Sequence, residues 1–321
     1  MEKKHLGKIF RIESKDYYVW DANGNEIRCN LPGKFKNELR IKKNKLFTLD
    51  YVVVGDDVEF VRNNDGSGVI KKVCERKNCL SRKALKSRAV LNRGERVEQI
   101  IASNVNNLFI IASILEPPIN NRIIDRIIVA GESNKINVNI VINKIDLLKQ
   151  KEQVEFWKNF YENIGYSVFI TSAIKGIGIE NIKNKTQDSV NIFWGPSGVG
   201  KSSLLNAMFA LDLKVNEISQ YSQKGVHTTV TCSMIKINKD TFVIDTPGIR
   251  EIAPYGIKKE DLGYYFKEFI PFIKNCRFNT CTHSDEPDCA IVEAVENNFI
   301  NLLRYESYIN ILNTIEQDMY F

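Results

Sequence analysis

Residues 190–206 read VNIFWGPSGVGKSSLLN, and within them G-x-x-x-x-G-K-S runs from Gly195 to Ser202. A strand-like run, VNIFW, precedes this spacing and a helix-like run, KSSLLNAMF, follows it. That context suits a phosphate loop: glycines let backbone N–H groups turn inward around phosphates, and the helix beginning there adds its positive end. Gly195, Pro196, Ser197, Gly198, Val199 and Gly200 form the loop. Lys201 reaches the β- and γ-phosphates, the Ser202 hydroxyl binds Mg²⁺, and Ser203 lies in the first helical turn. Where such a loop serves guanine nucleotides, a base-reading N-K-x-D ordinarily follows it. Here NKID occupies 143–146, some fifty residues upstream. Either one match is accidental or a domain has been cut and rejoined at new ends.

The remaining short motifs favour the second choice. NKID follows the buried-strand pattern NVNIVI, so Asn143, Lys144 and Asp146 fall where ligand loops of an open α/β sheet lie. The Asp146 carboxylate can accept from both guanine N1–H and the exocyclic amine, a donor pair that adenine lacks. The Lys144 stem can cover the base face. TSA at 171–173 ends the next strand pattern and places Ser172 and Ala173 where a backbone N–H meets guanine O6. DTPG at 245–248 follows TFVI: Asp245 can hold Mg²⁺ through water, and the Gly248 N–H can meet the γ-phosphate. Between loop and DTPG lies QKGVHTTVTC, where a threonine completes the Mg²⁺ shell; Thr228 is favoured and Thr229 stays open. The order NKID, TSA, phosphate loop, HTT, DTPG is a rotation of the usual one. Chain ends of compact domains often lie close together, so joining them and reopening elsewhere is physically tolerable.

The whole chain of 321 residues is long enough for two or three domains. Its 43% hydrophobic content suits real cores, and no apolar run approaches the eighteen or so residues of a membrane span. The start lacks a leader pattern, so a cytoplasmic chain without membrane contact is expected, in which seven cysteines are not a disulfide framework. Residues 1–100 carry 23 Lys and Arg against 14 Asp and Glu, whereas the other 221 carry 22 against 25. A front end at +9 on a body at −3 points to a polyanion, most simply RNA; a solvated basic surface is the alternative. Residues 1–76 show short strand patterns broken by Asn-Gly and Pro-Gly, which predicts a small OB-type barrel. A basic connector, RKNCLSRKALKSRAVLNRGERVEQ, follows. Strand and helix patterns then alternate to about 257, the mark of a parallel sheet covered on both faces. Residues 258–321 hold C-x4-C-x-H-x5-C, with Cys276, Cys281, His283 and Cys289. Thiolates and imidazole are what tetrahedral Zn²⁺ prefers, and four ligands leave no open position, so a structural ion is expected. Free thiols are the alternative. The stretch AIVEAVENNFINLLRYESYINILNTIEQ after it predicts helix. Cys29, Cys74, Cys79 and Cys232 read as free thiols.

With these carriers quoted, the chain resembles, over essentially its full length, the family of ribosome small subunit-dependent GTPase A (RsgA, also called YjeQ). The residues that carry the likeness are NKID, GPSGVGKSS, HTT, DTPGIR and CTHSDEPDCA. The resemblance implies a multi-domain α/β protein: an OB-type β-barrel over 1–76, a circularly permuted P-loop GTPase domain over 77–257 and a zinc-binding domain with helices over 258–321. It further implies GTP hydrolysis stimulated by the small ribosomal subunit late in that subunit's maturation, with GTP and GDP, the subunit and its rRNA as partners of a monomer. Many GTPases carry Gln after the DxxG glycine to orient water; Ile249 stands there, so unassisted turnover should be slow. The resemblance implies His227 as the substitute that orients water or accepts its proton, beside Lys201 and Thr228 in catalysis. A histidine that only contacts RNA or solvent is the alternative. Two other readings compete: a P-loop ATPase or kinase with an accidental NKID, and an RNA-binding or chaperone module in which hydrolysis is incidental.

Overall fold

The computed structural model describes residues 3–32, 47–48, 51–83, 97–148, 152–211, 232–245, 254 and 256–317. Strands β1 (Lys4–Glu13), β2 (Asp16–Asp21), β3 (Glu26–Asn30), β5 (Asp57–Arg62) and β6 (Gly68–Val73) form a barrel; β4 (Phe47–Thr48) lies outside it. They run β1-β2-β3-β6-β5, and β5 closes antiparallel onto β1 from Lys4↔Val61 to Lys8↔Asp57. Alternation decides the inside: Ile27 and Cys29 are buried while Glu26, Arg28 and Asn30 between them are exposed. With Ile9, Val19, Val58, Phe60 and Ile70 they fill the barrel core.

The second sheet holds β9 (Asn107–Ser113), β10 (Asn137–Asn143), β11 (Ser167–Ile170), β12 (Val190–Trp194), β13 (Ser233–Lys236) and β14 (Phe242–Asp245) in the order β11-β10-β9-β12-β14-β13. All but β13 are parallel. Every residue of β9 is buried, as a parallel strand covered on both faces must be. The period of two splits it between layers. Leu108, Ile110 and Ala112 pack with α1 (Asn121–Ser133) and α2 (Glu152–Glu162); Phe109 and Ile111 pack with α3 (Ile179–Lys185) and α4 (Lys201–Phe209).

One seam binds barrel to sheet, and a second ties the barrel to Ser103, just ahead of β9. β1 pairs antiparallel with edge strand β13 at Arg11↔Ser233, with Phe10 stacked on Trp20 and Trp20 against Phe242. Buried Asp56 accepts from Val53 N–H at 2.8 Å, Ser103 Oγ at 2.6 Å and Arg76 Nε at 2.6 Å. The basic stretch expected to be a mere connector is not one. Its ends form antiparallel strands β7 (Cys79–Lys83) and β8 (Val97–Ser103), joined by β4 in a three-stranded sheet. Buried Leu80, Ile100 and Ala102 drive this pairing; the many interposed basic residues hide their pattern in the sequence.

The tail contains α5 (Ile270–Ile273), α6 (Ala290–Glu296) and α7 (Leu302–Gln317) behind two 3-10 turns, Lys259–Tyr265 and Lys267–Phe269. The expected single helical stretch is broken between α6 and α7. Asn298 takes a left-handed φ of 60°, which asparagine tolerates, and Asn301 Oδ1 accepts from Leu303 N–H at 2.9 Å to start the new helix. The tail core of Leu262, Phe266, Phe269, Ile291, Tyr308 and Leu312 reaches Val129 of α1. No described helix is long and apolar enough to cross a membrane.

Candidate nucleotide and metal sites

Because β9, β10, β11, β12 and β14 are parallel, their carboxyl ends share one edge, and the motifs separated in sequence meet there. The segment 195–200 leaves β12 and enters α4. Ser197 and Gly198 are exposed at its mouth and Val199 is buried beneath. Gly200 has a φ of 89°, and a Cβ built there would lie 2.5 Å from Asn143 Nδ2, so only glycine fits. Gly200 caps α4 with no side-chain hydrogen bond, which leaves the first-turn N–H groups of Lys201, Ser202 and Ser203 for an anion. Ser202 is buried at 8% exposure, in the first turn of α4.

Asn143 is the hub between base and phosphate motifs. Its Nδ2 donates to Val199 O at 2.9 Å; its Oδ1 accepts from Thr171 Oγ1 at 3.1 Å and Ala173 N–H at 3.2 Å. Thus one buried amide ties NKID to both the phosphate loop and TSA. The Ala173 N–H, one of the backbone donors of the segment expected to meet guanine O6, is engaged by Asn143, and a base there must share that donor. Ser172 Oγ donates to Asp146 Oδ1, fixing the carboxylate expected to read the base. Lys144 has a left-handed φ of 64°, and its Nζ donates to Glu116 O at 2.6 Å. Glu116 belongs to the loop after β9, where Ser113 Oγ accepts its N–H at 3.2 Å; Pro117 Cδ lies 3.6 Å from where a Gly198 Cβ would stand. This loop escaped the sequence reading. The signal available was its place after a buried parallel strand, at the same edge as the other motifs. Asp245 ends β14 on that edge. Gly248, His227, Thr228 and Thr229 lie outside the described residues.

The second site is in the tail. One ligand atom from each of Cys276, Cys281, His283 and Cys289 lies within 4.8 Å of the others. His283 Nδ1 is 3.5 Å from Cys276 Sγ and 3.5 Å from Cys289 Sγ. A tetrahedral ion with bonds of about 2.3 Å to sulfur and about 2.0 Å to nitrogen sets S···N near ~3.5 Å, so the residues fit a Cys3His metal site. Burial pushes the Cys281 thiol up to about 12 and holds His283 below the ordinary imidazole range, so without an ion both stay neutral. The loop is braced from outside. Glu286 accepts from Thr282 N–H at 2.7 Å, Thr282 Oγ1 at 2.6 Å and Ser284 N–H at 3.0 Å. Burial opposes its charge, but these hydrogen bonds prevail and bring Glu286 down to about 2. Tyr305 and Tyr308 of α7 donate to His283 O at 2.9 Å and Thr282 O at 2.6 Å. Neither tyrosine was singled out in the sequence; their helical spacing read simply as core.

Comparison with known proteins agrees with this geometry. The family described as RsgA GTPase matches residues 73–254. A small ribosomal subunit biogenesis GTPase RsgA from Chlorobaculum parvum is 37% identical, covering 99% of this chain and 100% of its own. One of the same name from Caldanaerobacter subterraneus is 38% identical, covering 97% and 96%. The crystal structure of YjeQ from Thermotoga maritima aligns with a TM-score of 0.74 at 32% identity, over 98% of this chain and 99% of that one. YloQ, described as a circularly permuted GTPase, aligns at 0.71 with 29% identity, over 98% and 96%. A rotated motif order that still closes one nucleotide edge, and full-length relatives with the same architecture, lead to one conclusion: this chain belongs to the RsgA GTPase family.

Proposed function

We propose that the chain is a cytoplasmic, monomeric GTPase that binds the small ribosomal subunit and its rRNA and hydrolyses GTP during late subunit maturation, GTP favouring binding and GDP release. The observation that carries this is the Asn143 hub, which joins the base-reading and phosphate-binding motifs across the permuted order. The names of the relatives supply the subunit. In this reading the segment 195–200 and the first turn of α4 cradle the phosphates, Lys201 neutralises the β–γ oxygens, and Asp146 selects guanine. Ser202 and Thr228 would hold the Mg²⁺ that neutralises charge developing on the phosphates, with Asp245 behind a water. Gly248 N–H meets the γ-phosphate, and His227 orients the attacking water or accepts its proton. The Cys276, Cys281, His283 and Cys289 set holds one structural Zn²⁺. We place the domains at 1–76, 77–257 and 258–321, with the basic surplus that suits rRNA shared between the first and the opening stretch of the second.

Single-turnover hydrolysis with and without purified small subunits tests the reading. Slow hydrolysis of GTP but not ATP, accelerated by the subunit, is expected. Unstimulated hydrolysis alongside tight RNA binding would favour the chaperone reading instead.

A further inference from the structure

One buried charge network joins the tail to α1 and α2. Arg304 of α7 is fully buried, with its Nη1 2.5 Å from Asp125 Oδ1 of α1 and its Nε 2.5 Å from Glu268 Oε1 of the tail. Tyr161 of α2 donates to the same Asp125 oxygen at 3.2 Å. At the start of α1, Asn121 Nδ2 donates to Ser307 Oγ at 3.2 Å; at its end, Glu132 pairs with Lys267 at 3.0 Å. The tail therefore touches α1 from first turn to last.

The amino end of α1 leads directly into the nucleotide edge. Asn120 caps it, its Oδ1 accepting Ile123 N–H, and the largely exposed loop before it is held at three points. Leu115 bridges to Pro118, Ser113 holds Glu116 N–H, and Ile114 N–H donates to Asn143 O at 3.1 Å. Seven residues separate the end of β9 at Ser113 from the start of α1 at Asn121, so the placing of α1 constrains the path of this loop. What it carries is the Glu116 carbonyl, the anchor of the Lys144 ammonium. Lys144 is held in a left-handed backbone, so that anchor sets the direction of its stem.

We infer that Arg304 is a positioning residue for the nucleotide: by fixing α1 through Asp125 and Glu268, the tail holds the Glu116 carbonyl where Lys144 lies over the guanine face. This rests on the GTPase reading above. It also makes the tail an input. Whatever binds the tail and shifts α1 alters nucleotide affinity, and by linkage nucleotide alters that binding by the same factor. The metal belongs to the same chain of interactions, because Tyr305 and Tyr308 seat α7 on the carbonyls of His283 and Thr282.

The test is a double-mutant cycle on the full chain, read as affinity for a fluorescent GDP. Arg304→Met should weaken binding by about fivefold or more, and Lys144→Ala should weaken it too. In the Lys144→Ala background, the further loss from Arg304→Met should shrink below about twofold, because the tail then has no ammonium to position. Zinc content and the thermal transition check that each variant is folded. If Arg304→Met is not, Asn121→Ala, which removes only the hydrogen bonds to Ser307 and Leu303, takes its place in the cycle. Additive losses overturn the inference, since a general loosening does not act through Lys144. Intact affinity in a folded Arg304→Met also overturns it and leaves the GTPase reading standing. Failure of the unmodified chain to bind guanine nucleotide removes both.

Discussion

Asp146 and Gly200 make opposite demands on the nucleotide. Asp146→Asn replaces an acceptor pair by a mixed amide. It should lose GTP and gain xanthosine triphosphate, at a cost of roughly 1.5–3 kcal/mol per charge-assisted hydrogen bond before compensation. Competition binding with the two triphosphates checks it; unchanged GTP affinity would remove Asp146 as base reader. Gly200→Ala would force a side chain onto a left-handed backbone, about 1–2 kcal/mol, and into the Asn143 amide. It should abolish nucleotide binding while the barrel and tail keep their structure, by nucleotide titration alongside circular dichroism. At this scale the sequence reveals residues whose chemistry is local. Glycines at fixed spacing, a carboxylate after a strand and four soft ligands each announce themselves. The triple duty of the Asn143 amide and the Glu116 anchor for Lys144 do not, because they depend on which loops the sheet brings together. A backbone carbonyl leaves no trace in residue identity.

The metal loop is the element with the clearest solution signature. Burial keeps the Cys281 and Cys289 thiols protonated at neutral pH when the site is empty. Zinc uptake should therefore release at least two protons per ion, one from each of these thiols, measurable by calorimetry in buffers of differing ionisation enthalpy. Release of fewer than two would mean that the thiols do not all ligate. Glu286 titrates separately. Its pKa is depressed, so its contribution is present above the ordinary carboxylate range and fades only as pH falls towards about 2. Metal loss on acidification should come first, and Glu286→Gln, which weakens the brace on Thr282 and Ser284, should raise its midpoint in a dye-release titration. Regular elements were legible wherever hydrophobic period was long, as in α1 and β9. They were not where apolar residues were few, as in β7 and β8, or where local asparagine chemistry overrode a helical run, as between α6 and α7.

Across the whole molecule the basic front and the nucleotide body are one mechanical piece, since β1 continues the sheet through β13 and Asp56 bolts the barrel to Ser103. Deleting residues 1–76 would strip Phe242 and orphan Ser103, so charge removal is the cleaner probe of RNA binding. Replacing exposed Lys15, Lys71 and Lys72 by alanine should weaken small-subunit binding and lower the slope of log K against log salt by about one for each phosphate no longer neutralised. An unaltered slope would put the RNA-binding surface elsewhere. The rotated order was readable from motifs alone, but the continuity of barrel and sheet was not: a single strand pairing, Arg11↔Ser233, spans most of the chain. The rotation also changes the order of birth. In this chain β9, β10 and β11, with Asn143 and Asp146, leave a translating ribosome before the phosphate loop exists, and β14 follows Ile170 by some seventy residues. At about 5–20 residues per second, the half that carries Asn143 and Asp146 waits ~4–15 s for the strands that complete its sheet. During that interval the growing edge, first that of β9 and then, once Val190–Trp194 has emerged, that of β12, is bare, so the nascent protein exposes an unpaired parallel edge at the ribosome's own surface.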